Sequence, residues 1–333
     1  MDITFTDVLI TVIFLLILAL PGFIIAKIKF FPEKAGETIS TLVLYVCQSA
    51  LVITSFQSKE YVAGLGLNLL LVAGLSALAH LVMFLLLRII FISKSKDEKF
   101  RVVKYASVFS NCGFMGFPFL QSLFSGSALM PEIMLYGAVV IAVFNIMNWT
   151  FGVYIMTGEK KEISVKKILL NPVIISVIVG FLLFIILKKP IVDLAKDGST
   201  LDKVLTKLMQ SVNFFSDMVT PLSMTVIGIK LAGVDYKKLL LDGWAYVVSG
   251  LKLVLMPVIV LLLVAFLPIA GTIKYTLYFL LAMPSATSTA MFAVRFNKDG
   301  SFASVCVLLS TILSILTIPL LYLVISGVFG ITV

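Results

Sequence analysis

The sequence has few charged residues and few residues suited to acid–base or metal chemistry. Only 13% of its 333 residues are charged, it contains one histidine, and its three cysteines show no metal-ligand spacing. A soluble globular domain carries about a quarter charged residues, so a soluble enzyme, a disordered protein and a nucleic-acid-binding protein are all disfavoured. A glycine-rich Walker loop is also missing, which argues against coupling to nucleotide hydrolysis. We therefore expect no cofactor, no metal site and no nucleic-acid partner.

Long apolar segments make up most of the chain. Hydrophobic residues account for 60% of the sequence, and the mean hydropathy is +1.14. A membrane helix needs about 20 mostly apolar residues, and ten segments meet this requirement. They are Phe5–Ala26, Gly36–Phe56, Leu65–Ile92, Arg101–Phe124, Pro131–Met156, Ile168–Leu187, Ser211–Ala232, Gly243–Leu267, Thr272–Phe296 and Phe302–Gly330. The predicted class is an all-α membrane protein with ten transmembrane helices.

The distribution of charge predicts the topology of these segments. Asp2 and Asp7, and no lysine or arginine, stand at the start of the first apolar segment, so we expect a permanent span and not a cleaved signal. Most lysines and arginines fall in loops that share one side if the amino terminus is outside. The expected protein is a multi-pass protein of the cell membrane with both termini outside.

Ten spans divide into two sets of five with opposite orientations, the arrangement of an inverted repeat. The predicted division is a first five-helix repeat in residues 1–157, a cytosolic connecting loop in residues 158–167, and a second, inverted repeat in residues 168–333. The connection in residues 188–210 predicts a short amphipathic helix at the outer interface, with Ser199 and Asp202 as a capping box.

The fourth and ninth segments contain residues that interrupt helices. Proline removes a backbone donor, and a broken helix presents unpaired N–H groups and a partial positive charge at its new amino-terminal end. Two such ends that meet form an anion site, although kinked helices packed through small residues are the alternative. The candidate substrate-binding or ion-binding residues are Asn111, Cys112, Gly113, Gly116, Pro118, Pro284, Ser285, Thr287 and Ser288.

These motifs resemble those of the auxin efflux carrier family, in its bacterial branch. The run from Asn111 to Pro118 resembles the family signature Asn-x-Gly-Phe-x-Gly-x-Pro, and the likeness continues in Pro221–Gly228, Ala282–Ser288 and Leu309–Pro319. The family includes the plant PIN-FORMED carriers and proteins similar to malate and malonate permeases. The resemblance implies a fold like that of sodium/proton antiporters and bile-acid symporters. In that fold, broken helices 4 and 9 cross in a core domain beside a scaffold domain, and both domains draw on both repeats.

One position departs from the family pattern. The second span of the family often carries a proline before Ala-Leu, whereas this sequence has Gln48 and Ser49 before Ala50 and Leu51. We therefore add Gln48 to the candidate residues that line the site.

Other polar residues within the spans carry weaker predictions. A carboxylate in a span is costly, so Asp217 is a candidate for coupling or gating, with an interfacial carboxylate as the alternative. For Lys252, snorkelling to the cytosolic side is favoured over facing the cavity. For His80, a core role with a hydrogen bond across helices is favoured over a proton relay.

The predicted function is a secondary active transporter that moves a small organic anion, a carboxylate or an auxin-like acid, by alternating access. Its partners are that anion and the lipid bilayer, and a homodimer is left open. Coupling to Na⁺ or H⁺ is also left open. The alternatives are a channel, a sodium-coupled symporter of the bile-acid type and, with a single histidine available, a much weaker case for an intramembrane enzyme.

Overall fold

A computed structural model describes residues 3–32, 34–94, 97–195, 198–233 and 236–329. Within these ranges the secondary structure is helical, apart from one isolated antiparallel bridge between Ser110 and Ser285. The helices, in chain order, are α1 (Phe5–Lys27), α2 (Ala35–Phe56), α3 (Leu65–Ile90), α4 (Glu98–Val108), α5 (Phe117–Leu123), α6 (Met130–Thr157), α7 (Pro172–Leu187), α8 (Thr200–Asp217), α9 (Val219–Ala232), α10 (Gly243–Val264), α11 (Gly271–Ala282), α12 (Ser288–Arg295) and α13 (Gly300–Phe329). The short helices Val165–Leu169 and Tyr236–Leu241 lie in connections. The all-α class predicted from the sequence is confirmed.

Eight helices of the described ranges are long and apolar enough to cross a membrane. Seven of them are α1, α2, α3, α6, α7, α10 and α13. The eighth is the stretch Thr200–Ala232, which consists of α8 and α9. Each falls on one of the predicted spans, and Gly330, the predicted end of the last span, lies outside the described residues. The long apolar segments therefore form the expected membrane helices.

The two remaining predicted segments are each folded as two shorter helices. The fourth segment consists of α4, a non-helical break at residues 109–111, a π-helical turn at Cys112–Gly116, and α5. The ninth consists of α11, a break around Pro284, and α12. The first break lies before Pro118, which sits inside the continuous helical run Cys112–Leu123, directly after its π-helical turn. The prediction that Pro118 interrupts the helix is therefore wrong.

The amphipathic connection is longer than predicted. Ser199 accepts a hydrogen bond from the backbone N–H of Asp202, as expected of an N-cap, but α8 continues to Asp217. A turn at Met218 separates it from α9. Asp217 is thus the exposed last residue of α8, and it lies within the stretch Thr200–Ala232 that counts as one candidate span.

Helices α1 and α9 approach each other closely through glycines. A Cβ atom built on Gly22 would lie 2.2 Å from the backbone oxygen of Thr225, and one built on Gly228 would lie 2.0 Å from the backbone oxygen of Ala19. Both distances are far below van der Waals contact, so only glycine allows the two backbones to approach this closely. The π-helical turn that follows the first break contacts α9 in turn.

The interrupted helices lie inside the protein. Most of α11 is buried, and α4 is buried from Tyr105 to Val108. Non-helical backbone is tolerated in a membrane protein only where protein or a watery cavity surrounds it. The burial of these segments meets that requirement and places both breaks in the interior.

A candidate substrate site at two helix breaks

The two breaks meet through their backbones. The N–H of Asn111 donates to the carbonyl oxygen of Pro284 at 2.7 Å, and the N–H of Ala286 donates to the carbonyl oxygen of Phe109 at 2.9 Å. These bonds form the antiparallel bridge between Ser110 and Ser285. Backbone groups that the breaks release from the helices are therefore satisfied by the opposite segment. Asn111, Pro284 and Ser285, which were predicted from separate parts of the sequence, are brought together here.

Three buried donors around the breaks have no hydrogen-bond partner among the described residues. They are the side-chain nitrogens of Asn111 and Gln48 and the hydroxyl of Ser285. Their residues are 3%, 2% and 0% exposed. Buried polar groups are normally paired because leaving one unpaired costs about 1–3 kcal/mol. An amide nitrogen can only donate, so these groups require an acceptor that the described chain does not supply.

Glycines bring these donors close to the interrupted segment. Gln48 directly follows a π-helical turn in α2, and its Nε2 would lie 2.5 Å from a Cβ atom on Gly113. A Cβ on Gly116 would lie 2.7 Å from a methyl carbon of Leu280 in α11. Gly113 therefore makes room for the Gln48 amide, and Gly116 makes room for the ninth segment. At both positions a Cβ atom would prevent this close approach.

Lys252 also reaches the breaks. It is 0% exposed, and its Nζ donates to the Ser110 hydroxyl at 2.5 Å and to the Leu281 carbonyl oxygen at 2.9 Å. The Ser110 hydroxyl donates to the same carbonyl at 2.8 Å. The snorkelling favoured from the sequence is wrong, because the side chain turns inward to acceptors that the first break and the end of α11 provide.

Ser223 is a further buried hydroxyl that the candidate set omitted. It lies in α9, is 0% exposed, and has no partner among the described residues. Nearby, Val226 of the same helix packs with Phe114 of the π-helical turn. The sequence could have indicated Ser223 through its place in the run Pro221–Gly228. That run contributed to the family resemblance, but no residue in it was assigned a role.

The remaining candidates take other positions. Cys112 is fully buried as a free thiol, and Thr287 directly precedes α12. The Ser288 hydroxyl lies 3.0 Å from the Tyr105 hydroxyl, which also donates to Asn148 Oδ1. Asp217 is exposed at the end of α8 and is not among the residues gathered at the breaks.

His80 is buried but does not bond across helices as expected. Its Nδ1 lies 2.7 Å from the backbone oxygen of Ser76 in the same helix and donates to it. Its Nε2 has no partner among the described residues, and its ring faces Phe109 at a centroid distance of 5.7 Å. No three histidine, cysteine, aspartate or glutamate side chains of the described ranges come together as a group that could hold a metal.

Tyr105 is expected to stabilise the protein through its hydroxyl. Tyr105→Phe removes the donor to Asn148 Oδ1 and the contact with Ser288, and leaves a buried acceptor unpaired at a cost of about 1–3 kcal/mol. Thermal unfolding of the purified variant in detergent should show a lower midpoint than wild type. Tyr45→Phe, at a tyrosine that is 54% exposed, should melt like wild type, and equal midpoints for both variants would contradict the network.

Comparison with known proteins shows the family of the chain. A family model described as "Membrane transport protein", the model of the auxin efflux carrier family, matches residues 7–322. The chain belongs to this transporter family. It is 24% identical over 319 residues to the uncharacterized transporter MJ1031 of Methanocaldococcus jannaschii, covering 93% of this chain and 96% of that protein. It is also 24% identical over 312 residues to an uncharacterized transporter of Methanothermobacter thermautotrophicus, with coverages of 93% and 96%.

Proposed function

We propose that this membrane transport protein is a secondary active transporter of a small organic anion, a carboxylate or an auxin-like acid. The observation that carries the proposal is the set of unpaired buried donors on Asn111, Gln48 and Ser285 around the paired breaks. Donors without acceptors favour a ligand rich in acceptor oxygens. A carboxylate provides up to four acceptor positions and no donor when ionised.

The helix ends at the breaks favour the same ligand. The π-helical turn at Cys112–Gly116 and helix α12 both begin where a break ends. Their first N–H groups point toward the break and carry the positive end of the helix dipole. In this proposal the ends of both segments and the unpaired side chains bind the anion together, as in transporters with discontinuous helices.

The proposed topology counts ten spans. The eight long helices and the two interrupted segments would form two inverted five-helix repeats, joined by the loop at residues 158–167, with both termini outside the cell membrane. The interrupted segments would belong to a core domain that moves against a scaffold domain. That movement would expose the site to each side of the membrane in turn. Energy would come from a gradient of Na⁺, of H⁺ or of the substrate itself.

Counterflow in proteoliposomes tests the proposal. Vesicles loaded with unlabelled malonate, malate or indole-3-acetate are diluted into the same labelled acid, and label should accumulate transiently because a carrier exchanges substrate across the membrane. Flux without stimulation by internal substrate would instead indicate a channel. Empty liposomes provide the background. Failure of every acid to exchange would remove the organic-anion assignment.

A thermal-shift screen tests substrate class and coupling ion together. Ligands that bind the folded state raise its unfolding temperature by mass action. The protein in detergent is heated with each organic acid, with and without Na⁺, at two pH values. A shift that needs both the acid and Na⁺ would indicate sodium coupling, whereas a shift that depends on pH but not on Na⁺ would indicate proton coupling.

Asp217 is proposed to couple or gate transport. Its carboxylate stands at the turn between α8 and α9, where a change of charge would act on the position of α9. Asp217→Asn is expected to slow exchange severalfold while leaving the folded yield unchanged. Counterflow in proteoliposomes provides the measurement, and Asp202→Asn, in the first turn of α8, is the control. A wild-type rate in Asp217→Asn would remove the role.

A further inference from the structure

Lys252 is the one described lysine whose side chain is completely buried at the breaks. It projects from the π-helical turn Leu251–Leu255 of α10. Its Nζ, the Ser110 hydroxyl and the Leu281 carbonyl oxygen form a closed triangle with sides of 2.5, 2.8 and 2.9 Å. Ser110 is directly followed by Asn111 and pairs with Ser285 across the bridge. The ammonium therefore bonds the side chain of the bridge residue Ser110, which is next to Asn111 in the chain and opposite Ser285 in the bridge.

The charge of Lys252 is only partly compensated within the described ranges. An ammonium has three donors, and two of them are used by neutral oxygens. The ion pairs of the described residues involve Lys59, Lys99, Lys161 and Lys298, and none involves Lys252. The carbonyl end of α11 offers the negative pole of a helix dipole, which is a fraction of a charge. A buried cation without a full countercharge is costly, and an anion beside it would remove that cost.

The orientation of the triangle explains how the cation is held. Leu281 lies in the last turn of α11, where carbonyl oxygens have no intrahelical donor. The Ser110 hydroxyl and the ammonium both donate to this oxygen. In a carrier that binds Na⁺, carbonyls at an unwound helix would coordinate the metal ion. Here the Lys252 ammonium bonds the Leu281 oxygen in place of such an ion. Unlike a metal ion, this cation is part of the protein chain.

We propose that Lys252 is the fixed cation that makes this site selective for anions, with its third N–H directed to the carboxylate of the substrate. The inference rests on the proposed function and deepens it by naming the group that recognises charge. Small ionised carboxylates are accepted, and the uncharged amides of the same acids are rejected because they leave the ammonium without a countercharge. Asn111, Gln48 and Ser285 then supply neutral donors to the same ligand.

The experiment compares charge removal at Lys252 with charge removal at a matched lysine. Lys252→Met and Lys252→Gln both remove the charge, and the second keeps a polar group beside Ser110. Lys230→Met removes a lysine from the last turn of α9. Each purified protein is tested for malonate counterflow in proteoliposomes and for the unfolding-temperature shift that malonate and malonamide produce in detergent. Size exclusion establishes that each variant is folded.

We expect both Lys252 variants to be folded, to lose at least tenfold in malonate exchange, and to lose the malonate-induced temperature shift. Lys230→Met should keep both. Malonamide should shift none of the proteins. Wild-type exchange and temperature shift in a folded Lys252→Gln protein would overturn the role of Lys252 and leave the proposed function intact. If neither Lys252 variant folds, Lys252→Arg provides the test, because it keeps the charge and should retain the malonate shift. Loss of that shift in folded Lys252→Arg would also overturn the proposal.

Wild-type behaviour separates this inference from the proposed function. If malonate, malate and indole-3-acetate neither exchange nor raise the unfolding temperature of the wild-type protein, the organic-anion function fails and the role of Lys252 fails with it. If wild type responds and the Lys252 variants respond equally, only the charge-recognition role fails. A response to malonamide equal to that of malonate in wild type would show that charge is not recognised at all.

Discussion

Asn111→Ala is expected to lower anion exchange by about tenfold or more while the protein stays folded. The Asn111 side chain is buried beside the paired breaks, and its nitrogen has no partner among the described residues. Its donor is therefore available to a ligand and is not needed to hold neighbouring helices. A hydrogen bond to a charged group contributes about 1.5–3 kcal/mol, and every 1.4 kcal/mol is about tenfold in affinity. Concentration-dependent counterflow in proteoliposomes gives the change in rate and in apparent affinity.

Two further variants make the Asn111 prediction specific. Asn111→Ala combined with Ser285→Ala should exchange still more slowly, because the Ser285 hydroxyl is the second unpaired donor on the bridge. Asn213→Ala changes an exposed asparagine of α8 and should leave exchange at the wild-type level. If Asn111→Ala transports with unchanged rate and affinity, the substrate binds elsewhere and the two breaks have a structural role alone.

The membrane helices and the two breaks were predictable because each has a local cause in the sequence. A span depends on apolar length, and a break depends on residues that weaken helices where they stand. The contact between Asn111 and Pro284 was also predictable, since both residues lie in the interrupted segments. The exact position of the first break was not, because the helix resumes at Cys112 and continues through Pro118.

The role of Lys252 could not be predicted because it depends on tertiary contacts. A lysine in an apolar helix can extend to the interface or turn inward, and the choice depends on whether acceptors lie within reach. Those acceptors, Ser110 and Leu281, come from segments distant in sequence. For Asp217 the sequence placed the carboxylate near the outer end of the seventh span, and the structure places it at the exposed end of α8.

Gly228→Ala is expected to lower the unfolding temperature of the protein by several degrees. The new Cβ would lie 2.0 Å from the Ala19 oxygen and 2.7 Å from the Phe23 nitrogen, both backbone atoms of α1. No rotation of a side chain can relieve such contacts, so α1 must move away from α9. Overpacking costs about 1–3 kcal/mol and occasionally more, and about 2–4 °C of midpoint accompanies each kcal/mol in a large domain. A fall of roughly 2–12 °C is therefore expected from thermal unfolding in detergent.

A second glycine and a matched control separate this clash from a general effect of alanine. Gly22→Ala places a methyl group 2.2 Å from the Thr225 oxygen on the opposite side of the same contact, so it should destabilise by a similar amount. Gly74→Ala adds the same methyl in α3, where nothing besides the adjoining backbone of that helix lies within 4 Å. Alanine is favoured over glycine inside a helix by about 0.5–1 kcal/mol, so Gly74→Ala should melt at or slightly above the wild-type temperature. Opposite signs for Gly228→Ala and Gly74→Ala follow only if α1 and α9 touch through their backbones, and a common sign would place the two helices further apart.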